Sequence, residues 1–281
     1  ALAARRTQTI GAIIPTMKNA IFAEGIQAFQ EALQAEGFSL LIAFSSYDAE
    51  LEAEGIRNLV ARGADAILVI GFDRDASVFK FLDDHEVPVL VAWAFDPNSK
   101  HVCIGFDSRA AMAGLVGKAI ELGHRRIGMI SARQAGNDRA RARVAGVQAA
   151  MRAAGLPVEE LTIEETEFGL PQAGDAFERL VSRAPDITLL VGGNDVLAAG
   201  AIRRARDLDY DVPGDISVIG FDDIALAKLV SPGLTTVRVP HQAMGEEAAR
   251  ALIAMVRGHG ATSRELKTEI CLRESLAAPR A

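Results

Sequence analysis

Short apolar runs alternate with helical patterns along most of the chain. Each run lacks polar alternation, which indicates a strand covered on both faces. A regular alternation of such strands with helices predicts a parallel sheet with helices on both sides. The first series has strands at 10–15, 38–44, 65–71, 87–92 and 101–105, and helices near 20–36, 49–62, 75–84 and 108–122.

A second series follows a turn signal at residues 123–126. Its elements are a strand at 127–131, a helix over 138–154, a weak strand near 160–164, a helix over 172–183, the buried runs ITLLVGG and ISVIGF, a helix at 242–257 and a last strand TEICL. One sheet of about ten strands would be unusual, whereas two sheets of five or six are common. The sequence therefore predicts an α/β chain with two Rossmann-like parallel-sheet lobes.

Polar pairs stand where two of the buried strands end. ITLLVGG is followed by Asn194 and Asp195, and ISVIGF by Asp222 and Asp223. Open α/β sheets bind ligands at this carboxyl edge, so the four side chains are candidates for a ligand site. The alternative is that they only cap helices and turns.

Composition narrows the classes of function. The 281 residues carry a net charge of −7, which argues against this polypeptide clamping a phosphate backbone over a broad surface. Cys103 and Cys271 lie in apolar strand-like runs without metal-ligand spacing, so we expect no metal. No apolar stretch approaches a membrane span and no secretory signal opens the sequence, which favours the cytoplasm. A mature exported protein would also lack its signal.

Motifs for catalysis or for a cofactor are not recognisable. The sequence contains no P-loop, no G-x-G-x-x-G after a strand, no G-x-S-x-G and no H-E-x-x-H. We therefore expect a protein that binds a small molecule rather than an enzyme, with no cofactor.

One span carries a family resemblance. It begins with Asn194-Asp195, continues through VPGDISVIGFDD and ends in SPGLTT. This span resembles the LacI/GalR family of bacterial transcriptional repressors, and the resemblance extends over essentially the whole chain. It implies a type I periplasmic binding protein-like fold with a ligand cleft between its lobes. The implied parts are a hinge remnant at 1–7, an N-terminal lobe at 8–122 plus 239–266, and a C-terminal lobe at 123–238 plus 267–281.

The first residues, ALAARRTQTI, resemble the end of the hinge in this family. On that match Leu2 corresponds to the leucine that such repressors insert into the DNA minor groove. The helix-turn-helix headpiece expected before it is absent from the sequence, so operator DNA is an expected partner only through that headpiece. By composition alone the segment is an ordinary frayed terminus.

Candidate ligand residues in the first half lie just past strand ends. Two aromatic residues among them have alternatives: Phe22 could anchor the next helix in the core, and Trp93 could either stack on a sugar ring or sit in the core with a partner for its indole N–H. The candidates are Asn19, Ile21, Phe22, Gly71, Phe72, Trp93 and Asp107.

The second half adds candidates that rest largely on the resemblance. Arg143 opens R-V-A-G, and in the family this arginine reaches the effector, as does an aspartate at the position of Asp222. A guanidinium can address two oxygens at once, and a carboxylate can accept from two hydroxyls. The alternative for the arginine run is a solvated basic face. Arg139, Phe168, Asn194 and His241 complete the set.

Two departures from the family pattern leave the effector undetermined. Val196 stands where sugar-responsive relatives often carry a polar side chain, and His241 where an aromatic ring is frequent. A solvated histidine at a helix start is the alternative for His241.

The resemblance implies the ligand-sensing core of a transcriptional regulator. Its effector would be a small polar molecule, a sugar or sugar derivative, that alters operator affinity allosterically. The core is expected to be a homodimer. A periplasmic sugar-binding protein of a transporter is the alternative.

Overall fold

Two six-stranded sheets organise the part of the chain that the structure describes. The structure is a computed structural model, and it describes residues 7–17 and 21–280. The chain divides into two units. The first holds the described residues of Ala1–Asp107 together with Pro240–Lys267, and the second holds those of Ser108–Val239 together with Thr268–Ala281. The predicted site residues Leu2 and Asn19 lie outside the described residues.

The first unit contains a parallel sheet with the strand order β11-β5-β4-β3-β1-β2. Residues of β1 and β3 are buried almost throughout, as expected for central strands with helices on both faces. The elements are β1 (Thr9–Ile14), α1 (Ala23–Ala35), β2 (Ser39–Phe44), α2 (Ala49–Ala61), β3 (Ala66–Ile70), α3 (Ala76–Asp84), β4 (Val89–Ala92), β5 (Val102–Gly105), α9 (His241–Val256) and β11 (Arg264–Glu265).

Helices α1 and α9 of the first unit cross at backbone contact. A Cβ atom built on Gly245 would lie 2.0 Å from the carbonyl oxygen of Gly25, and one built on Gly25 would lie 2.5 Å from the Trp93 ring. Only glycine leaves room for this approach. The crossing therefore brings the start of α9 against the side chain that follows β4.

The second unit has the strand order β12-β10-β9-β8-β6-β7, with β12 antiparallel to β10 and the other pairs parallel. Strands β6, β8 and β9 are buried along their full length. The elements are α4 (Ser108–Glu121), β6 (Ile127–Ala132), α5 (Asp138–Ala153), a 3₁₀ turn (Val158–Glu160), β7 (Thr162–Thr166), α6 (Leu170–Arg183), β8 (Leu189–Gly192), α7 (Asp195–Asp207), β9 (Ser217–Asp222), α8 (Ala225–Leu229), β10 (Thr235–Arg238) and β12 (Glu269–Cys271).

The division of the chain differs from the predicted one around α4. We predicted that residues up to 122 belong to the first lobe, whereas α4 lies in the second unit and the turn at Gly123 is internal to that unit. The cause is a close packing of α4 on α5. A Cβ on Gly146 of α5 would lie 2.5 Å from the carbonyl oxygen of Arg109, so the two helices meet nearly backbone to backbone.

Helices of the described residues are all too short or too polar to cross a membrane.

Candidate functional site

Asn194 and Asp222 stand at the carboxyl ends of neighbouring strands β8 and β9 in the second unit. Asn194 caps α7, since its Oδ1 accepts a hydrogen bond from the backbone N–H of Leu197 over 2.9 Å. The residue is 0% exposed, and among the described residues nothing accepts a hydrogen bond from its Nδ2. Capping therefore uses one end of the amide and leaves the other end for a ligand.

Asp222 ends β9 with an unusual backbone and a buried carboxyl group. Its φ of 109° lies in a region that L side chains rarely adopt, and the residue is 2% exposed. Oδ1 lies 4.0 Å from Nη1 of Arg143, and Oδ2 has no hydrogen-bond partner among the described residues. Burial raises the pKa of Asp222 to about 7, although the charges of Arg143 and Arg139 oppose the rise. A ligand hydroxyl would supply the missing hydrogen bond.

The basic run on α5 divides into a buried part and a solvated part. Arg139 and Arg143 are four residues apart, hence on one face of the helix, and both are buried. Arg141 is exposed and donates to the carbonyl oxygen of Gln134 over 2.6 Å. The solvated basic face considered from the sequence thus applies to Arg141 alone of the three.

The two buried arginines have different surroundings. Arg139 forms an ion pair with Asp138 at 2.8 Å. The Arg143 guanidinium carbon lies 5.0 Å from the centre of the Phe221 ring, close enough for a cation–π interaction. Arg143 therefore has an aromatic neighbour that orients it and a carboxylate at 4.0 Å that a small polar group could bridge.

Phe168 precedes α6 and is half-buried, packed against the core of the second unit. The packing explains its apolar character. A contact with a ligand stays a prediction.

Thr236 was not among the residues predicted from the sequence, and Asp195 was a candidate only as part of the polar pair after ITLLVGG; the structure links both to the turn after Asp222. Asp195 is fully buried, and its carboxyl group bonds both to the Thr236 hydroxyl and to the backbone N–H of Ile224 in the turn after Asp222. The signal in the sequence was the acidic residue that follows the capping Asn194. Of its two partners, Thr236 lies on strand β10, which the sequence pattern did not predict.

Trp93, Phe22 and His241 come together in the first unit. Trp93 is 2% exposed and donates its indole N–H to Nδ1 of His241 over 3.3 Å. The Phe22 ring meets it edge-on with ring centres 5.5 Å apart. Phe22 and Trp93 are therefore both core residues, as one alternative for each predicted. Stacking of Trp93 on a sugar stays a prediction.

His241 is the first residue of α9 and is buried, so the solvated helix-start histidine expected as an alternative is wrong. Because Nδ1 accepts the Trp93 hydrogen bond, a neutral ring carries its proton on Nε2.

The remaining candidates that the structure describes in the first unit are Ile21, Gly71, Phe72 and Asp107. Gly71 has a φ of 71° and donates its N–H to Ala92 at the end of β4. Phe72 packs against the core from a half-buried position, and Ile21 is buried beside the start of α1. Asp107 is exposed just after β5.

Comparisons with known proteins agree with this architecture. Residues 116–276 match the model of the periplasmic binding protein-like domain. The transcriptional regulator MalR of Streptomyces coelicolor is 33% identical over 278 residues, which cover 95% of this chain and 80% of MalR. A sugar-binding transcriptional regulator of the LacI family from Escherichia coli, solved with phosphate, is 26% identical with a TM-score of 0.83 and covers 98% of this chain and 100% of its own.

The chain belongs to the LacI family of transcriptional regulators. A solved complex of the regulator CelR with cellobiose is also similar, at 28% identity and a TM-score of 0.84, with 96% of this chain and 85% of that one covered. The LacI-family fold is the type I periplasmic binding protein-like fold with two lobes. Since these relatives are regulators and not enzymes or transporter components, the transporter alternative is not favoured.

Proposed function

We propose that this LacI-family chain senses a sugar or sugar derivative through a site built around Asp222 and Arg143. The observation that carries the proposal is the buried Oδ2 of Asp222, which lacks a hydrogen-bond partner among the described residues. A buried acceptor of this kind costs free energy until a donor reaches it. A ligand hydroxyl is such a donor.

The chemistry of the neighbouring groups suits a polyhydroxylated molecule. Asp222 supplies acceptors, Arg143 supplies a fork of donors, and Asn194 offers its amide N–H groups from the adjacent strand end. A sugar hydroxyl both donates and accepts, so one such group can bridge the 4.0 Å gap between Asp222 and Arg143. The similar CelR was solved with cellobiose, which supports a sugar as the class of effector.

The other predicted ligand residues remain part of the proposal. Each is expected to contact the ligand, on the grounds given from the sequence. They are Asn19, Ile21, Phe22, Gly71, Phe72, Trp93, Asp107, Arg139, Phe168 and His241.

Regulation would follow from a ligand that prefers one of two arrangements of the protein. In this proposal the regulator binds operator DNA through a helix-turn-helix headpiece, works in the cytoplasm and needs neither a cofactor nor a metal. Sugar binding changes DNA affinity without touching DNA.

A homodimer is the proposed assembly. It is supported by large apolar side chains that are exposed in each unit: Ile42 and Phe44 on the edge strand β2, and Leu229 and Leu272 in the second unit. Leu229 is the most exposed of them, at 80%, and ends α8. A second copy of the chain would cover such side chains.

Calorimetry with cellobiose, and with a panel of other disaccharides, monosaccharides and sugar acids, tests the proposal. For a sugar that binds, Asp222→Asn and Arg143→Ala should each weaken the affinity by about tenfold or more, because each removes charge-assisted hydrogen bonds. Arg126→Ala and Asp186→Asn are matched controls, since these residues form an exposed ion pair in the same unit. Unchanged affinity in both site variants would show that the sugar binds elsewhere, and a panel without any binder would refute the sugar.

A further inference from the structure

Asp195 is the buried polar side chain that joins the elements around Asp222 of the proposed sugar site. It is the first residue of α7 and is 0% exposed. Oδ2 accepts a hydrogen bond from the backbone N–H of Ile224 over 2.9 Å, and Oδ1 lies 2.5 Å from the hydroxyl oxygen of Thr236 on β10. One carboxyl group therefore connects a helix start, a neighbouring strand and the turn that follows β9.

The turn at Asp222 and Asp223 needs stabilising contacts from other elements. Asp222 and Asp223 have φ angles of 109° and 54°, which are unfavourable for residues with a side chain. Asp223 is held by ion pairs with Arg238 and Arg273. Asp195 accepts a hydrogen bond from Ile224, the residue after Asp223. The contacts of Asp195 and Asp223 together stabilise the turn. Gly220 makes the approach possible, because a Cβ there would lie 2.5 Å from Oδ1 of Asp195.

The charges around Asp195 are unfavourable for a second carboxylate. Asp222 and Asp223 of the β9 end both act on it with negative charge. The nearby cations serve other groups: Arg143 and Arg139 of α5 act on Asp222, and Arg238 and Arg273 pair with Asp223. Among the described residues, no cation forms an ion pair with Asp195. Burial, and then the charge of Asp222, raise the pKa of Asp195 well above its usual value.

We propose that Asp195 is a positioning residue that works as an uncharged carboxylic acid, accepting from Ile224 and donating to the Thr236 hydroxyl, and so holds the Asp222 carboxyl group in place for the ligand. The inference rests on the proposed function for the role of Asp222. It leaves Asp222 as the one carboxyl group of this pair that changes charge near neutral pH. A neutral Asp195 also spares Asp222 a buried like charge.

Asparagine offers a sharp test because its amide can copy both hydrogen bonds of a neutral acid. The experiment is a ¹³C NMR titration of aspartate-labelled protein, with Asp195 and Asp222 signals assigned from Asp195→Asn and Asp222→Asn. In the unsubstituted protein the Asp195 carboxyl signal should stay at its protonated position through pH 7. The Asp222 signal should titrate near pH 7, with the same midpoint in Asp195→Asn.

Variants that lose the hydrogen bonds of Asp195 should change the titration midpoint of Asp222, unlike Asp195→Asn. In Asp195→Ala the turn is released and solvent reaches Asp222, so its midpoint should fall from about 7 toward the ordinary aspartate value of ~4. Thr236→Val removes one of the two bonds and should move the midpoint in the same direction by less. This second variant keeps the test decisive if the alanine variant does not fold, which circular dichroism would reveal.

Three results would overturn the inference. They are an ionised Asp195 signal at pH 7, an Asp222 midpoint that moves as far in Asp195→Asn as in the variants that lose a bond, and an unmoved midpoint in both Asp195→Ala and Thr236→Val. None of these readouts needs a ligand. If no sugar of the panel binds while Asp195 and Asp222 titrate as expected, the sugar as effector is rejected and the role of Asp195 stands.

Discussion

Trp93 and His241 form a hydrogen bond of 3.3 Å that ties the end of β4 to the first residue of α9, across 148 residues of sequence. His241→Phe keeps a ring at this position but leaves the indole N–H without its acceptor. We expect a loss of about 1–3 kcal/mol in the free energy of unfolding, the usual cost of an unsatisfied buried donor. Urea unfolding followed by the fluorescence of Trp93, the single tryptophan of the chain, measures it.

His259→Phe is the matched control, since His259 is exposed shortly after the end of the same helix. An equal loss in both variants would mean that the hydrogen bond contributes no stability of its own.

The close crossing of α1 and α9 predicts that replacing Gly25 by alanine lowers the stability of the protein, whereas the same change at an uncrowded glycine does not. Gly25→Ala would place a methyl group 2.5 Å from the Trp93 ring and should destabilise the protein by roughly 1–3 kcal/mol through overpacking. Gly117→Ala in α4 meets no atom within 4 Å and should stabilise by about 0.5–1 kcal/mol, because alanine is the better helix former. Thermal unfolding of the two variants tests both signs. A stabilising Gly25→Ala would contradict the packing.

Asp222 predicts a pH dependence of stability. Its folded pKa of about 7 lies above the ordinary aspartate value of 3.8. Between these values the folded protein holds a proton that the unfolded chain has released, so this contribution to stability is lost as pH rises through 7. The free energy of unfolding of Asp222→Asn should therefore rise relative to that of the unsubstituted protein by on the order of 2–4 kcal/mol between pH 5 and pH 8. Urea unfolding of both proteins at the two pH values measures the difference.

Asp186→Asn serves as the control for that series, because its carboxylate is exposed and its pairing with Arg126 is on the surface. A similar pH-dependent gain in Asp186→Asn would show that the effect is general and does not report on Asp222.

Continuous burial explains which parts of the fold were predictable. Strands β3, β8 and β9 are buried at every residue, so their apolar runs predicted both their type and their place. Strand β10 was missed because Thr235 and Thr236 look polar in sequence. Both are fully buried, and their hydroxyls bond to the Arg273 carbonyl and to Asp195. Both hydroxyls are satisfied by partners that lie far away in sequence, a backbone carbonyl and a carboxyl group.

The candidate site shows the same limit. Helical spacing alone could not tell that Arg139 and Arg143 are buried while Arg141 is solvated, since the choice depends on which face of α5 meets the rest of the unit. Nor could it place α4, whose packing on α5 depends on the small Gly146. The strand-end pattern marked both Asp195 and Asp222, the resemblance to the LacI family gave Asp222 a ligand role, and the geometry then showed the partners of Asp195.

The interleaved path of the chain has a consequence for its synthesis. The first unit takes most of its residues from before Ser108 but needs Pro240–Lys267 to complete it. On the ribosome, the surface of α1 around Gly25 and Phe29 is made long before α9 can cover it. The nascent chain therefore displays apolar side chains while most of the second unit is translated, and aggregation during that interval is the physical risk of this topology, which chaperone binding would counter.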